Sequence, residues 1–247
     1  QAQAYQYELE TLQRQGIISD QTLLLAVPDP SSERVGSGGA TLNALLTVTE
    51  YLSARAGLSF IDPELLRTSR LLIIHSGGDS RRIPCSSVCG KAFSTLPAVR
   101  ESGTLASPFL ILLEKMTEIC QSAEAGLFVA SGDVLLLLPE MEYDWSHSGV
   151  TGLAIPAGIK FGTKHGVYAL QEGSNQVETF LQKATFDQLQ ANHAIRKNQT
   201  VLLDSGIVYF CGDTTTKILT LNVLPPLDAC TYLGVDSGAV PLRIELY

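Results

Sequence analysis

The chain has 247 residues, of which 45% are hydrophobic and 17% charged, and a formal net charge of −8. That length can bury a substantial core, the composition excludes a disordered chain, and the acidic balance excludes a general binder of nucleic acid or acidic membrane, whose footprint is basic. No apolar run approaches the roughly 18 residues of a membrane span, and the opening QAQAYQYELE lacks the basic-then-apolar order of a secretory signal.

Residues Gln1–Gln15 have helix-forming composition with Tyr5, Leu9 and Leu12 on one face, and Gly16 is placed to stop the helix. Thr22–Val27 (TLLLAV) reads as a strand ended by Pro28-Asp29-Pro30. A glycine-rich turn, Val35-Gly36-Ser37-Gly38-Gly39, then enters a helix whose buried face carries Leu42, Leu45, Leu46 and Leu52. Backbone N–H groups and the helix dipole at such a start favour an anion; close helix–strand packing is the other reading of the same glycines.

The most informative stretch is Arg70–Phe93, RLLIIHSGGDSRRIPCSSVCGKAF. Leu71–Ile74 reads as a buried strand that empties into His75-Ser76-Gly77-Gly78-Asp79-Ser80, followed by Arg82 and by Gly90-Lys91. Paired glycines let backbone N–H groups approach a ligand, an arginine grips phosphate oxygens in a planar fork, and a lysine adds a mobile point charge. The stretch is not a Walker A loop, because Cys85 stands where its first glycine belongs and Ala92 where Ser or Thr binds Mg²⁺. Neither glycine cluster fits Gly-x-Gly-x-x-Gly, which argues against a dinucleotide-dependent dehydrogenase. The five cysteines (85, 89, 120, 211, 230) are irregularly spaced. They read as reduced thiols of a cytoplasmic chain, and no second pair at ligand spacing joins Cys85 and Cys89 in a zinc site.

Pro108–Cys120 reads as a helix with proline in its first turn, and Leu127–Ala130 as a strand running into Ser131-Gly132-Asp133. An aspartate at a strand end serves either as a Mg²⁺ ligand or as a turn or cap residue. The apolar run Val134–Pro139 and the segment Val150–Pro156 read as further strands. His165–Leu170 and Val177–Lys183 follow, then a short surface helix over Phe186–Ala194. Val201–Phe210 reads as strand, turn and strand, with Asp204 and Ser205 either holding the turn or meeting a ligand hydroxyl.

The spacing Gly-Gly-x-Ser-x-Arg-x-Pro followed by Gly-Lys resembles the Gly-Gly-x-Gly-Thr-Arg…Pro-Lys signature of sugar-nucleotide pyrophosphorylases. Its nearest form is that of the fucose-1-phosphate guanylyltransferase (GDP-fucose pyrophosphorylase) family, above all the N-terminal domain of animal L-fucokinases. GSGGATLNAL resembles that family's glycine-rich segment, Lys164-His165-Gly166-Val167 its Asn-His-Gly-Val with lysine for asparagine, and Leu203-Asp204-Ser205-Gly206-Ile207 its Leu-Asp-Thr-Gly-Ile. Pro225–Gly238 also resembles the animal fucokinases, and offers Asp228 and Asp236 as candidates for a second metal carboxylate.

The strand–helix alternation indicates an α/β fold with a mostly parallel sheet and helices on both faces. The resemblance implies the Rossmann-like nucleotide-diphospho-sugar transferase type, with residues 1–247 as one domain cut at both ends. It further implies GTP and fucose 1-phosphate as substrates and Mg²⁺ as cofactor, with an attached kinase domain beyond these residues. By the same resemblance Gly36, Gly38, Gly39, Gly77, Gly78 and Ser80 bind nucleotide, and Asp133 holds the metal. Arg82, Lys91 and Lys183 serve catalysis, Lys183 at the sugar phosphate, and His165, Asp204 and Ser205 bind the substrate, Asp204 or Ser205 at a sugar hydroxyl. The alternative is a catalytically silent domain that supports an attached fucokinase, since the Cys85–Cys89 loop departs from the bulkier segment of plant relatives.

Overall fold

The structure is a computed structural model that describes residues 1–30, 35–76, 90–100, 103, 105–132, 134–136, 138 and 142–220. Its elements in chain order are α1 (Ala2–Arg14), α2 (Gly36–Arg55), α3 (Glu64–Arg67), β1 (Arg70–His75), α4 (Pro108–Cys120), β2 (Gly126–Ser131), β3 (Val150–Gly158), α5 (Ile159–Gly162), β4 (Gly166–Leu170), β5 (Val177–Gln182), α6 (Phe186–Ala191), β6 (Thr200–Cys211) and α7 (Gly212–Leu219). None of the helices among the described residues is long and apolar enough to cross a membrane.

The strands form one sheet in the order β1-β2-β6-β4-β5, with β3 also paired to β6. Side chains alternate across a strand, so a central strand buries both faces and becomes continuously apolar. Strand β2 does this: Leu127 and Val129 join Leu45 and Leu46 of α2, Leu66 of α3 and Leu219 of α7 on one side. Phe128 and Ala130 join Leu112, Met116 and Ile119 of α4, with Trp145, on the other. A third core gathers Val167 and Ala169 of β4, Leu189 of α6 and Val201 of β6. Helices thus cover both faces. Each fully buried aliphatic side chain contributes about 1.5–3 kcal/mol relative to exposure.

The sheet is mixed, where a mostly parallel one was expected. Only β1 and β2 run parallel among the described strands, while β6 is antiparallel to β2, β3 and β4, and β4 to β5. The connections explain why. A parallel crossover needs a dozen or more residues, usually including a helix, as α4 supplies between β1 and β2. Between β3 and β4 lies only the short α5, and β4 turns directly into β5, closed by Gln171 N donating to Gln176 O at 2.9 Å.

Three local expectations also change. Leu23–Val27 forms no ladder; its polar backbone is met by side chains of α1 instead. Gln6 Nε2 donates to Leu24 O at 3.3 Å and Gln6 Oε1 accepts from Ala26 N at 2.9 Å, so one amide side chain imitates a neighbouring strand. Likewise, the described part of Val134–Pro139 has no regular structure, although Leu136 is buried.

Finally, Thr200–Cys211 is one continuous strand, and the expected turn is a bulge within it. Gly152 pairs with Val208 and Ala154 with Asp204, so Leu153 alone stands opposite Ser205, Gly206 and Ile207. Asp204 Oδ1 accepts from Gly206 N at 3.0 Å and Ser205 Oγ from Ile207 N at 3.2 Å, local bonds that replace ladder bonds. Gly206 takes φ +75°, where a Cβ is disfavoured.

Candidate functional site

The bulge in β6 lies where two other strands end. Strand β3 occupies one edge of β6 along both halves, so β2 and β4 must share the opposite edge, one after the other. There β2 pairs with residues 207–211 and β4 with residues 202 and 203. Asp204, Ser205 and Gly206 are therefore claimed by neither. At that stretch the carboxyl end of β2 comes towards the amino end of β4, and a Cβ built on Gly206 would lie 3.3 Å from the Cβ of Ser131.

On the β2 side the strand ends are tied together. His75 is in register with Ser131, and Gly132 N donates to His75 O at 2.8 Å. Helix α2 begins over the same end: Thr41 Oγ1 and His75 Nε2 are hydrogen-bonded at 2.8 Å. Its first turn contains Gly36 at φ +75°, with Gly38 and Gly39 buried against the fold. Ser76 Oγ donates to the Tyr5 hydroxyl at 3.0 Å, and that hydroxyl occupies the space where a side chain at Gly90 would go. The Tyr5 ring also meets Phe93 at 5.3 Å, and Phe93 stacks on Phe109 at 4.6 Å. Tyr5 thereby holds the Gly90–Phe93 segment, and with it the half-buried Lys91, against the end of β1.

On the β4 side, Gly166 pairs with Gln182 and Lys183 N donates to His165 O at 3.1 Å. His165 and Lys183 are exposed neighbours, and Lys183 takes φ +51°, outside the ordinary strand conformation. Asp204 is half-buried; its Oδ1 accepts from the Tyr168 hydroxyl at 2.9 Å as well as from Gly206 N. Ser205 is buried, and its Oγ is engaged by the bulge.

The level at which β2 ends and β4 begins along β6 thus brings together the start of α2 with Gly36, Gly38 and Gly39, then Lys91, Asp204, Ser205, His165 and Lys183, drawn from five separate segments. Gly77, Gly78, Ser80, Arg82, Asp133, the Cys85–Cys89 loop, Asp228 and Asp236 lie outside the described residues. Among the described residues, no cluster of three or more histidine, cysteine, aspartate or glutamate side chains suits a metal ion.

A fucose pyrophosphorylase domain model matches residues 63–247, more than half of the chain. The chain belongs to the fucose pyrophosphorylase domain family. It is 28% identical over 248 residues to the bifunctional fucokinase/GDP-fucose pyrophosphorylase of Arabidopsis thaliana, covering 90% of this chain and 23% of that protein. To the fucose-1-phosphate guanylyltransferase of Mus musculus it is 29% identical over 189 residues, 70% of this chain and 29% of the relative. To the L-fucokinase/L-fucose-1-P guanylyltransferase of Bacteroides fragilis it is 28% identical over 198 residues, 77% of this chain and 20% of the relative. The chain therefore spans less than a third of the length of each of these proteins.

Within this fucose pyrophosphorylase domain, β1 and everything after it fall in the matched segment, while α1 and α2 precede it. The Thr41–His75 and Ser76–Tyr5 bonds join those preceding helices to the matched part at the site itself. Sequence reasoning gave no site role to Thr41, His75, Tyr5 or Tyr168. His75, immediately before the Ser-Gly-Gly segment, was marked by position. The other three carry no local signal, because their partners lie 34 to 71 positions away in the chain.

Proposed function

We propose that this domain is the nucleotidyltransferase of GDP-fucose salvage in a cytoplasmic, fucokinase-type protein: GTP and L-fucose 1-phosphate give GDP-L-fucose and pyrophosphate. The reading is supported by one convergence. In a chain of this family, the carboxyl ends of β1 and β2, the start of α2, the bulge of β6 and the facing ends of β4 and β5 meet at one level of the sheet.

A nonbridging oxygen of the sugar phosphate attacks the α-phosphorus of GTP. As that P–O bond forms, the bond from the α-phosphorus to the oxygen bridging to the β-phosphorus breaks, and its electrons leave with pyrophosphate. Positioning and charge neutralisation carry such a reaction. On this reading the α2 turn, Gly77, Gly78 and Ser80 cradle the triphosphate with backbone N–H and hydroxyl donors. Arg82 and Lys91 offset its charge. Lys183 and His165 hold the sugar phosphate on the opposite side of the gap, and Asp204, with Ser205 shaping its bulge, meets the sugar.

Magnesium fits this arrangement as a partner of the phosphates. It binds through one or two carboxylates together with substrate oxygens and keeps several waters, so a many-ligand protein cage is not required. Asp133 follows Gly132, whose amide is tied to the end of β1; it is the residue assigned to hold the ion. When bound, the ion would neutralise charge on the triphosphate.

The test is pyrophosphate release from GTP and fucose 1-phosphate by the full chain, beside Lys91→Ala and Lys183→Ala. Each variant should lose on the order of 10²–10³-fold in turnover. The lysine 91 change should weaken GTP, and the lysine 183 change fucose 1-phosphate. A folded wild type that binds neither GTP nor fucose 1-phosphate would overturn the proposal.

A further inference from the structure

Asp204 Oδ1 accepts two hydrogen bonds, from Gly206 N at 3.0 Å and from the Tyr168 hydroxyl at 2.9 Å. Among the described residues its Oδ2 takes none. The first bond closes the bulge. The second reaches in from β4 and has been given room: a Cβ on Gly152 would lie 2.6 Å from the Tyr168 hydroxyl and 2.8 Å from the ring carbon bearing it. From another side, the Phe180 ring meets the Tyr168 ring at 5.3 Å. A phenol held by a ring on one flank and a missing side chain on another has one orientation, and its donor is spent on a half-buried carboxylate.

We infer that Tyr168 is a positioning residue for sugar recognition. By occupying Oδ1 it fixes the rotation of the Asp204 carboxylate, leaving Oδ2 to accept a hydroxyl of the fucose ring. This rests on the reading of the site as one for fucose 1-phosphate. A carboxylate is an acceptor-only group, so its counterpart must be a donor, and a sugar hydroxyl is one. Because Oδ1 is already doubly bonded, Tyr168 acts through Asp204 and touches no reacting atom.

The test is calorimetric binding of fucose 1-phosphate and, separately, of GTP to the full chain carrying Tyr168→Phe. That change keeps the ring and deletes the hydroxyl. Fucose 1-phosphate affinity should fall about tenfold, the size of one lost hydrogen bond, with GTP affinity unchanged. In an Asp204→Ala background the same change should have no further effect, which a general structural role would not produce. Monodeoxy analogues of fucose 1-phosphate supply a second readout. The wild type should discriminate against the analogue lacking the recognised hydroxyl, and Tyr168→Phe should discriminate less. If Tyr168→Phe fails to fold, Gly152→Ala crowds the hydroxyl without removing it and should show the same selective loss.

Unchanged fucose 1-phosphate affinity in Tyr168→Phe would overturn the inference, as would equal losses for both ligands. A wild type that binds fucose 1-phosphate with the Tyr168 dependence but releases no pyrophosphate keeps this inference and removes the enzymatic reading. A wild type that does not bind fucose 1-phosphate removes both.

Discussion

Gly132 is the joint between the two strand ends of the site, and Gly132→Ala strains it directly. An added Cβ would sit 2.6 Å from His75 O and 3.2 Å from Ile74 Cγ2. The nearer atom belongs to the backbone of β1, so no side chain can swing aside to relieve the contact. Ordinary van der Waals contact begins at 3.4 Å. Reaching it separates Gly132 N from His75 O, now hydrogen-bonded at 2.8 Å. Overpacking costs about 1–3 kcal/mol and the lost hydrogen bond about 0.5–1.5 kcal/mol, together roughly 2–4 kcal/mol. At about 2–4 °C per kcal/mol for a domain of this size, the unfolding midpoint should fall by about 4–16 °C.

A functional cost should appear beside the cost in stability. On the proposed reading Asp133, next in the chain, holds the metal, and a displacement near 1 Å at a reacting centre costs about 10²-fold. Pyrophosphate release measured well below the lowered midpoint separates the two effects. Trp145, the one tryptophan in the sequence, reports unfolding, because its ring packs edge-on against Phe128 at 5.0 Å inside the α4 core. Gly158→Ala is the control: nothing lies within 4 Å of its Cβ, and φ is −64°. If Gly132→Ala matches the wild type in both midpoint and turnover, the tight coupling of β1 to β2 at the site is refuted.

Met116→Ala, at a fully buried position of α4, should cost about 2–5 kcal/mol by chemical denaturation, and a loss under 1 kcal/mol would mean that this core is loosely packed. Burial pushes the Cys120 thiol up to about 12 from 9.0, against the pull of Arg70. The unfolded thiol therefore ionises first, and stability should fall between about pH 9 and 12 by up to ~1.4 kcal/mol per pH unit. Cys120→Ala should flatten that part of the curve, and parallel curves would refute the assignment. Burial also raises the Cys211 thiol, but hydrogen bonds from Thr214 and the Gly149 amide outweigh it and leave it below its ordinary value. Alkylation near pH 8, followed by peptide mass spectrometry, should label Cys211 well before Cys120; the reverse order would contradict both directions.

Where a signal was local, the sequence was easy to read. Helix α4 runs from Pro108 to Cys120 as expected, because Ser107 caps it through Leu110 N and Pro108 fits its first turn. Strands β1 and β2 follow their apolar runs to within a residue at each end. What was illegible depended on partners. Leu23–Val27 has strand composition, yet Gln6 of α1 supplies its hydrogen bonds. The Asp-Ser-Gly of β6 has turn chemistry, and the same side-chain bonds build a bulge because β3 continues past it. Strand direction was misjudged for the same reason, since alternation of strand and helix does not disclose whether a connection is long enough to cross over.

That misjudged direction bears on how the site is assembled. In a wholly parallel sheet every strand would present its carboxyl end to the ligand, and Asp204, in mid-strand, would have no place there. Because β6 runs antiparallel to β2, its middle comes level with the end of β2, as the Ala130–Ile207 pairing fixes. Because it outlasts β2, its remaining length carries β4 and β5 beyond that point, with His165 and Lys183 at the near end. A bulge at the handover satisfies Asp204 Oδ1 twice and leaves its backbone edge to neither neighbour. The register that contradicts a parallel sheet is therefore what brings Asp204, His165 and Lys183 level with the carboxyl ends of β1 and β2. Shifting it by one residue would turn Asp204 to the other face and separate it from Tyr168, whatever the loops did.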